Sequence, residues 1–370
     1  MKKIFVIAGE ASGDLHGAAL IENLKSRGGV SPPMQIFGVG GDKIKATGAG
    51  EFFDLAHFHV TGFSQAFLKL PQYFKAEKII LESIRRVKPD VVVLIDNPGF
   101  NLHLAKKIHA LNIPVIYYIA PQVWAWKKNR IFKIKKYCQK VLVVFDFEKK
   151  LYEAYGVPVS FVGHPLKDTI PQFSSNRARK ENFVALMPGS RRHEVSVLLP
   201  EFLKAAGLLK NKNPEFNFKL IVAPTLPGKF YDPFLEKSPV PVVLVEENSY
   251  EAIAGSKLVI ACSGTATLEC ALLKTPVLIA NKASFLTYLI ANAFLKIPYL
   301  GLPNIILNRM AFPELLQYNV TPEKIARAAE EFLKNPSRQA QIQKDLEEIS
   351  DKLGTGGAAH HAAEEILKNL

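Results

Sequence analysis

Four short segments of this 370-residue chain place reactive side chains where an apolar run gives way to glycine or proline. In LIDNPGFN (94–101), Asp96 ends a strongly apolar run and Pro98-Gly99 force a turn. A carboxylate held at a strand terminus can act as a general base toward a hydroxyl; capping or plain solvation is its competing use. In MPGSRRHEV (187–195), Gly189 and Ser190 follow a strand and Arg191 stands where a helix begins. Exposed amides beside a guanidinium suit a diphosphate, and an arginine at a helix start is electrostatically disfavoured unless an anion sits there. A basic helix start with no ligand is the alternative reading. In ACSGTATLEC (261–270), Ser263, Gly264 and Thr265 could donate to phosphate. Glu269, further along the same helix, could accept ribose hydroxyls or simply meet the helix dipole.

The opening GEASGD (9–14), with Glu10 and Ser12, joins a first strand to a helix, where backbone N–H groups are exposed. It is neither a dinucleotide GxGxxG nor a Walker loop, and GVGGDK (38–43) is only a weak glycine match, so no NAD, ATP or other cofactor is expected. No HExxH or paired CxxC points to a metal, which leaves protein groups to neutralise a departing diphosphate. His164 and His193 are weak candidates individually.

These segments need a frame that presents strand ends. The runs IFVIAG (4–9), QIFGVGG (35–41), VVVLID (91–96), PVIYYIA (114–120), VLVVF (141–145) and SFVG (160–163) read as parallel strands buried on both faces. Helical patterns such as KAEKIILESIRRV and NLHLAKKIHAL lie between them. The alternation restarts at FVALMPG and continues through FKLIVAP, PVVLVEE, KLVIACSG and TPVLIAN. The expected fold is α/β, with two Rossmann-like doubly wound domains facing a cleft and a C-terminal helical tail. The domains are placed at 1–170 and 171–330, with the non-periodic stretch 164–182 as linker. The tail, 331–370, is expected to pack back on the first domain or on a partner chain.

Three scattered cysteines suit a reducing compartment. The net charge of +13 is uneven: through Pro171 the chain carries +10, and beyond it +3. A basic half accumulates near polyanions. No stretch is long and apolar enough to span a bilayer; Phe285 to Leu302 is interrupted by Asn292, Lys296 and Pro298. Two segments look suited to a membrane surface. Residues 52–74, including Phe63 and Phe67, are rich in phenylalanine and are either core or a lip for acyl chains. In 120–140, Trp124 and Trp126 precede Lys127, Lys128 and Arg130 with no acid among them, the composition of a bilayer interface. Nucleic acid could use the same charges, but no helix-turn-helix, RRM or KH signature is present.

Taken together, GEASGD, IDNPGFN, PQVWAWKKNRIFKI, FVGHP, PGSRRHEV, SGTATLE and LPNII (302–306) closely resemble, in wording and order, the lipid A disaccharide synthase family of glycosyltransferases. That resemblance implies the GT-B architecture and inverting transfer from a UDP-2,3-diacylglucosamine donor to the 6-hydroxyl of 2,3-diacylglucosamine 1-phosphate. It further implies that Asp96 is the base, that Arg191 and the amides near Ser190 and Ser263 stabilise departing UDP, and that Glu269 holds ribose. Asn101 and Asn304 would line the substrate sites, and Glu10 and Ser12 the cleft floor. The family also implies peripheral contact with anionic lipids on the cytoplasmic face of the bacterial inner membrane, with no nucleic acid; a homodimer is left open. The competing readings are a UDP-sugar 2-epimerase or other GT-B transferase, and a noncatalytic membrane-binding adaptor.

Overall fold

The computed structural model describes residues 1–27, 34–54, 70–125, 127–170, 181–283 and 298–370. The chain forms two compact units, Met1–Pro165 with Leu353–Leu370, and Leu166–Lys352. The segment 331–370 is thus shared, its last helix belonging to the first unit.

The first unit holds a parallel sheet of β1 (Lys2–Ala8), β2 (Met34–Gly40), β3 (Gly50–Asp54), β4 (Val91–Ile95), β5 (Val115–Tyr118), β6 (Lys140–Val143) and β7 (Val159–Phe161), in the order β3-β2-β1-β4-β5-β6-β7. All five residues of β4 are fully buried, as expected of a central strand covered by helices on both faces. At roughly 1.5–3 kcal/mol for each fully buried aliphatic side chain, this strand is a principal stabilising element. Helix Ala11–Arg27 follows β1, and the closing helix Ala358–Leu367 packs against it. The closing helix is pinned at Glu365, which accepts from Lys140 Nζ at 2.5 Å and Ser160 Oγ at 2.7 Å.

The second unit repeats the plan with β8 (Phe183–Met187), β9 (Asn217–Ile221), β10 (Val242–Val245), β11 (Leu258–Cys262), β12 (Val277–Asn281) and β13 (Glu314–Leu316), all parallel, in the order β10-β9-β8-β11-β12-β13. Helix Arg192–Lys212 follows β8, and helix Pro322–Lys334 packs against it. The longer strands were readable as apolar, β-branched runs. The edge strands β3 and β13 were not, because each is short and mixes polar with apolar residues.

Candidate active site

In a doubly wound sheet, ligands bind beyond the carboxyl ends of the strands where the order reverses. In the first unit that point lies between β1 and β4, with Ala8 opposite Ile95. The loops leaving these strands carry Glu10 and Asp96. They run so close that a Cβ on Gly9 would sit 2.7 Å from Nδ2 of Asn97.

Asp96 and Asn97 both have positive φ, 49° and 41°, a backbone region that Asp and Asn enter more readily than other side chains. The Asp96 amide donates to the Tyr118 carbonyl at 3.1 Å. Its own carbonyl accepts from the Tyr117 hydroxyl at 2.5 Å and from Nδ2 of Asn101 at 2.7 Å. Asn101 also donates to the Ile95 carbonyl at 3.0 Å and is fully buried. Its amide therefore orients the backbone that carries the carboxylate. Burial raises the Asp96 pKa, partly offset by the Asn97 N–H. Glu10 is raised by burial and then by the negative charge of Asp96. Ser12 is exposed in the first turn of its helix.

Two features of this unit escaped sequence reasoning. Asp14 is buried and accepts the backbone N–H groups of Gly41, Lys43 and Ile44 at 2.8, 3.0 and 3.1 Å. The glycine turn of GVGGDK is thereby filled by the chain's own carboxylate. His16 and His164 are electrostatically coupled: burial lowers both, and with the charge of His16 brings His164 to about 4, so both imidazoles are neutral near pH 7.

In the second unit the order reverses between β8 and β11, with Met187 opposite Ala261. A cavity of about 430 Å³ opens there, and Ser190, Arg191, Ser263, Gly264, Thr265 and Glu269 all line it. Chain reversal at the end of β8 requires Gly189, whose φ is +118°. Glu269 accepts from the Tyr250 hydroxyl at 3.3 Å, and burial raises its pKa. The same pairing, after burial, pushes the Tyr250 phenol up to about 12. Cys262 and Glu194 also line the cavity. Burial lifts the Cys262 thiol to about 12, which keeps it protonated and unreactive. Sequence reasoning missed Tyr250, which carries no local motif. It also missed Glu194, although a Glu three residues after a helix start is a capping signal.

Asn304 stands apart from this cavity. It is fully buried in helix Leu302–Leu307, where Nδ2 donates to the Phe312 carbonyl at 2.8 Å and to Glu314 Oε1 at 2.7 Å. Its Oδ1 accepts from the Ala311 and Phe312 amides at 2.9 and 2.8 Å. The side chain clamps the approach to β13. Asn304→Leu is expected to cost about 3 kcal/mol, because two backbone N–H groups stay buried without acceptors. Urea unfolding measures that cost, and a variant of wild-type stability that fails to bind UDP would instead make Asn304 a donor ligand.

Of the residues singled out for membrane contact, Phe63, Phe67 and Trp126 lie outside the described residues. Trp124 is half-buried, its indole N–H turned inward onto Oε1 of Glu148 at 2.9 Å. That Glu148 carboxyl is buried, which raises its pKa to about 8. Lys127 and Lys128 are exposed, with Lys128 over the Tyr155 ring, and Arg130 is half-buried. On the following helix, Arg130–Tyr137, Phe132 is 58% exposed among lysines. In the aromatic segment 52–74, Tyr73 is half-buried against Phe100 and Phe74 is exposed. Among the described residues, no helix is long and apolar enough to cross a membrane.

Comparison with known proteins identifies the family and the fold. The family model described as lipid-A-disaccharide synthetase matches residues 4–368. A lipid-A-disaccharide synthase of Syntrophus aciditrophicus is 40% identical over 371 residues, covering 98% of this chain and 96% of that protein. Among solved structures, UDP-GlcNAc 2-epimerase from Neisseria meningitidis bound to UDP-GlcNAc superposes with a TM-score of 0.68 at 14% identity, over 99% of this chain and 100% of that one. The calicheamicin glycosyltransferase CalG4 gives 0.62 at 16%, over 100% and 98%. The structural likenesses establish the two-Rossmann fold. A sequence match running through both switch-point loops and on into the closing helix goes further: the chain belongs to the lipid-A-disaccharide synthase family of glycosyltransferases.

Proposed function

We propose that this chain transfers 2,3-diacylglucosamine from its UDP conjugate to the 6-hydroxyl of 2,3-diacylglucosamine 1-phosphate, forming a β-1,6 bond and releasing UDP. The family implies a UDP-sugar donor and a sugar-phosphate acceptor. The observation that supports the residue assignment is that the candidate residues gather at the switch point of each unit. A carboxyl whose pKa burial raises, Asp96, stands in the first unit, and a cavity of about 430 Å³ lined by Ser190, Arg191, Ser263, Thr265 and Glu269 in the second.

In this reading the ionised Asp96 takes the proton of the acceptor 6-hydroxyl as its oxygen attacks the donor's anomeric carbon. The bond from that carbon to the diphosphate oxygen breaks on the opposite face, so the configuration inverts. Arg191 and the amides near Ser190 and Ser263 meet the charge developing on UDP. Glu269, oriented by Tyr250, accepts the ribose hydroxyls. Asn101 acts on the substrate only through Asp96. The acceptor and Asp96 thus fall to the first unit, the donor to the second.

Peripheral attachment to anionic lipid on the cytoplasmic face of the inner membrane belongs to the same reading. It is supported by the basic helix Arg130–Tyr137 with exposed Phe132 and the neighbouring Lys127 and Lys128, since basic side chains around an apolar one favour an anionic interface.

The decisive assay supplies the two acylated substrates in detergent, separately and together. UDP release is expected only when both are present. Conversion of water-soluble UDP-N-acetylglucosamine alone would overturn the assignment in favour of a 2-epimerase.

A further inference from the structure

Three of the donors available to a diphosphate in the second unit are already engaged by the chain itself. Oε2 of Glu194 accepts the backbone N–H groups of Ser190 at 3.1 Å and Arg191 at 3.2 Å. Its Oε1 accepts the Arg191 guanidinium at 2.6 Å. One carboxylate therefore holds three donors of the loop Gly189–Arg191, in the geometry of a bound anion. The fit is close: a Cβ on Gly189 would lie 2.6 Å from Glu194 Oε2. The loop is fixed from its other side, where Thr225 Oγ1 donates to the Ser190 carbonyl at 2.6 Å.

The second helix start lining the cavity is different. Helix Thr265–Leu272 has no side-chain cap and no acid in its first turn, with Gly264 before it at φ +157°. An anion entering the cavity meets one helix start open to it and one occupied by a carboxylate. A helix start attracts anions through unpaired N–H groups and its dipole, and a diphosphate brings more charge and more acceptor oxygens than a carboxylate. The Arg191 side chain is 81% exposed, and among the described residues its ion pair is with Glu194.

We propose that Glu194 is a stand-in for the donor's diphosphate: it holds Ser190 and Arg191 in place until the diphosphate takes over their hydrogen bonds and displaces it. This inference rests on the donor-site reading above and adds a specificity device to it. Uridine compounds without a phosphate at this position cannot replace the carboxylate, so the loop discriminates in favour of the diphosphate.

The test is UDP binding, by titration calorimetry, to the wild-type chain, Glu194→Ala and Glu194→Gln, with uridine as a competitor that carries no phosphate. Removing the competing carboxylate is expected to tighten UDP binding about tenfold in Glu194→Ala, the effect of one charge-assisted interaction. Glu194→Gln should gain less, since its amide oxygen still accepts from the loop but cannot hold the guanidinium by charge. Uridine should bind all three alike. Glu194 also caps its helix, so circular dichroism establishes that each variant is folded; if the alanine variant is not, the glutamine variant decides. UDP binding that is unchanged or weaker in the folded variants overturns the inference and leaves Glu194 a helix cap that positions Arg191. No UDP binding to any of the three, wild type included, overturns the donor-site reading and this inference with it.

Discussion

Asp96→Asn is expected to lower turnover by about 10³-fold, the scale of a lost general base, while leaving UDP affinity unchanged. Asparagine is the informative substitution because position 96 has a φ of 49°. Asn tolerates that conformation, whereas Ala would add backbone strain to the loss of the carboxylate. The backbone bonds to Tyr117, Tyr118 and Asn101 survive the change, so the variant reports chemistry and not folding. Steady-state turnover with both acylated substrates measures the effect, and a rate close to wild type would remove Asp96 from the role of base.

The pH profile is a second readout of the same residue. The base works ionised, so the rate climbs as Asp96 loses its proton. Burial places that limb above the ordinary Asp value of 3.8. Burial raises Glu10 as well and the charge of Asp96 raises it further, so the two carboxyls titrate as an interacting pair. An acid limb below the ordinary Asp value would remove Asp96 as the group whose ionisation sets the rate.

Arg191→Ala is the other large effect, with an expected loss of about 10²- to 10³-fold in kcat, as for removal of one preorganised donor to developing negative charge. The side chain is mostly exposed, so its truncation should change stability by no more than about 0.5 kcal/mol. Arg191→Lys should recover only a small part of the rate, because an ammonium cannot reproduce the planar fork of a guanidinium on a diphosphate. Kinetics and thermal melting on the same preparations separate the two effects. A large drop in melting temperature with normal turnover per folded molecule would make Arg191 a structural residue.

The motif residues fall into two groups once the chain is folded. Asp96, Arg191, Ser190, Ser263 and Glu269 occupy positions next to a strand end or early in the following helix, and the topology of a doubly wound sheet carries such positions to the switch points. Asn101 and Asn304 belong to the same motifs but lie inside the protein, where their amides satisfy backbone groups. A linear motif does not separate these uses, because a residue needed to hold a loop is spaced from its neighbours just as one needed to touch a substrate is. The glycine turn that reads as a diphosphate site holds the chain's own Glu194 against Ser190, and the weaker glycine match at 38–43 holds Asp14 against Gly41.

The sequence alone determined the two-unit α/β plan, since apolar runs of strand length alternating with helical periodicity admit few other arrangements. It also located the loops that carry the candidate site residues, because glycine, proline and small hydroxyl residues mark where strands end. Only the tertiary structure decided which side chains on those loops are free to meet a ligand. Burial depth and hydrogen-bond partners depend on residues far along the chain: Asp14 reaches Gly41, Tyr117 orients Asp96, and Thr225 fixes Ser190. The same is true of the last helix, which the sequence left to pack on the first domain or on a partner chain. Glu365 meets Lys140 and Ser160 across more than 200 residues, a pairing that chain folding creates and local sequence does not encode.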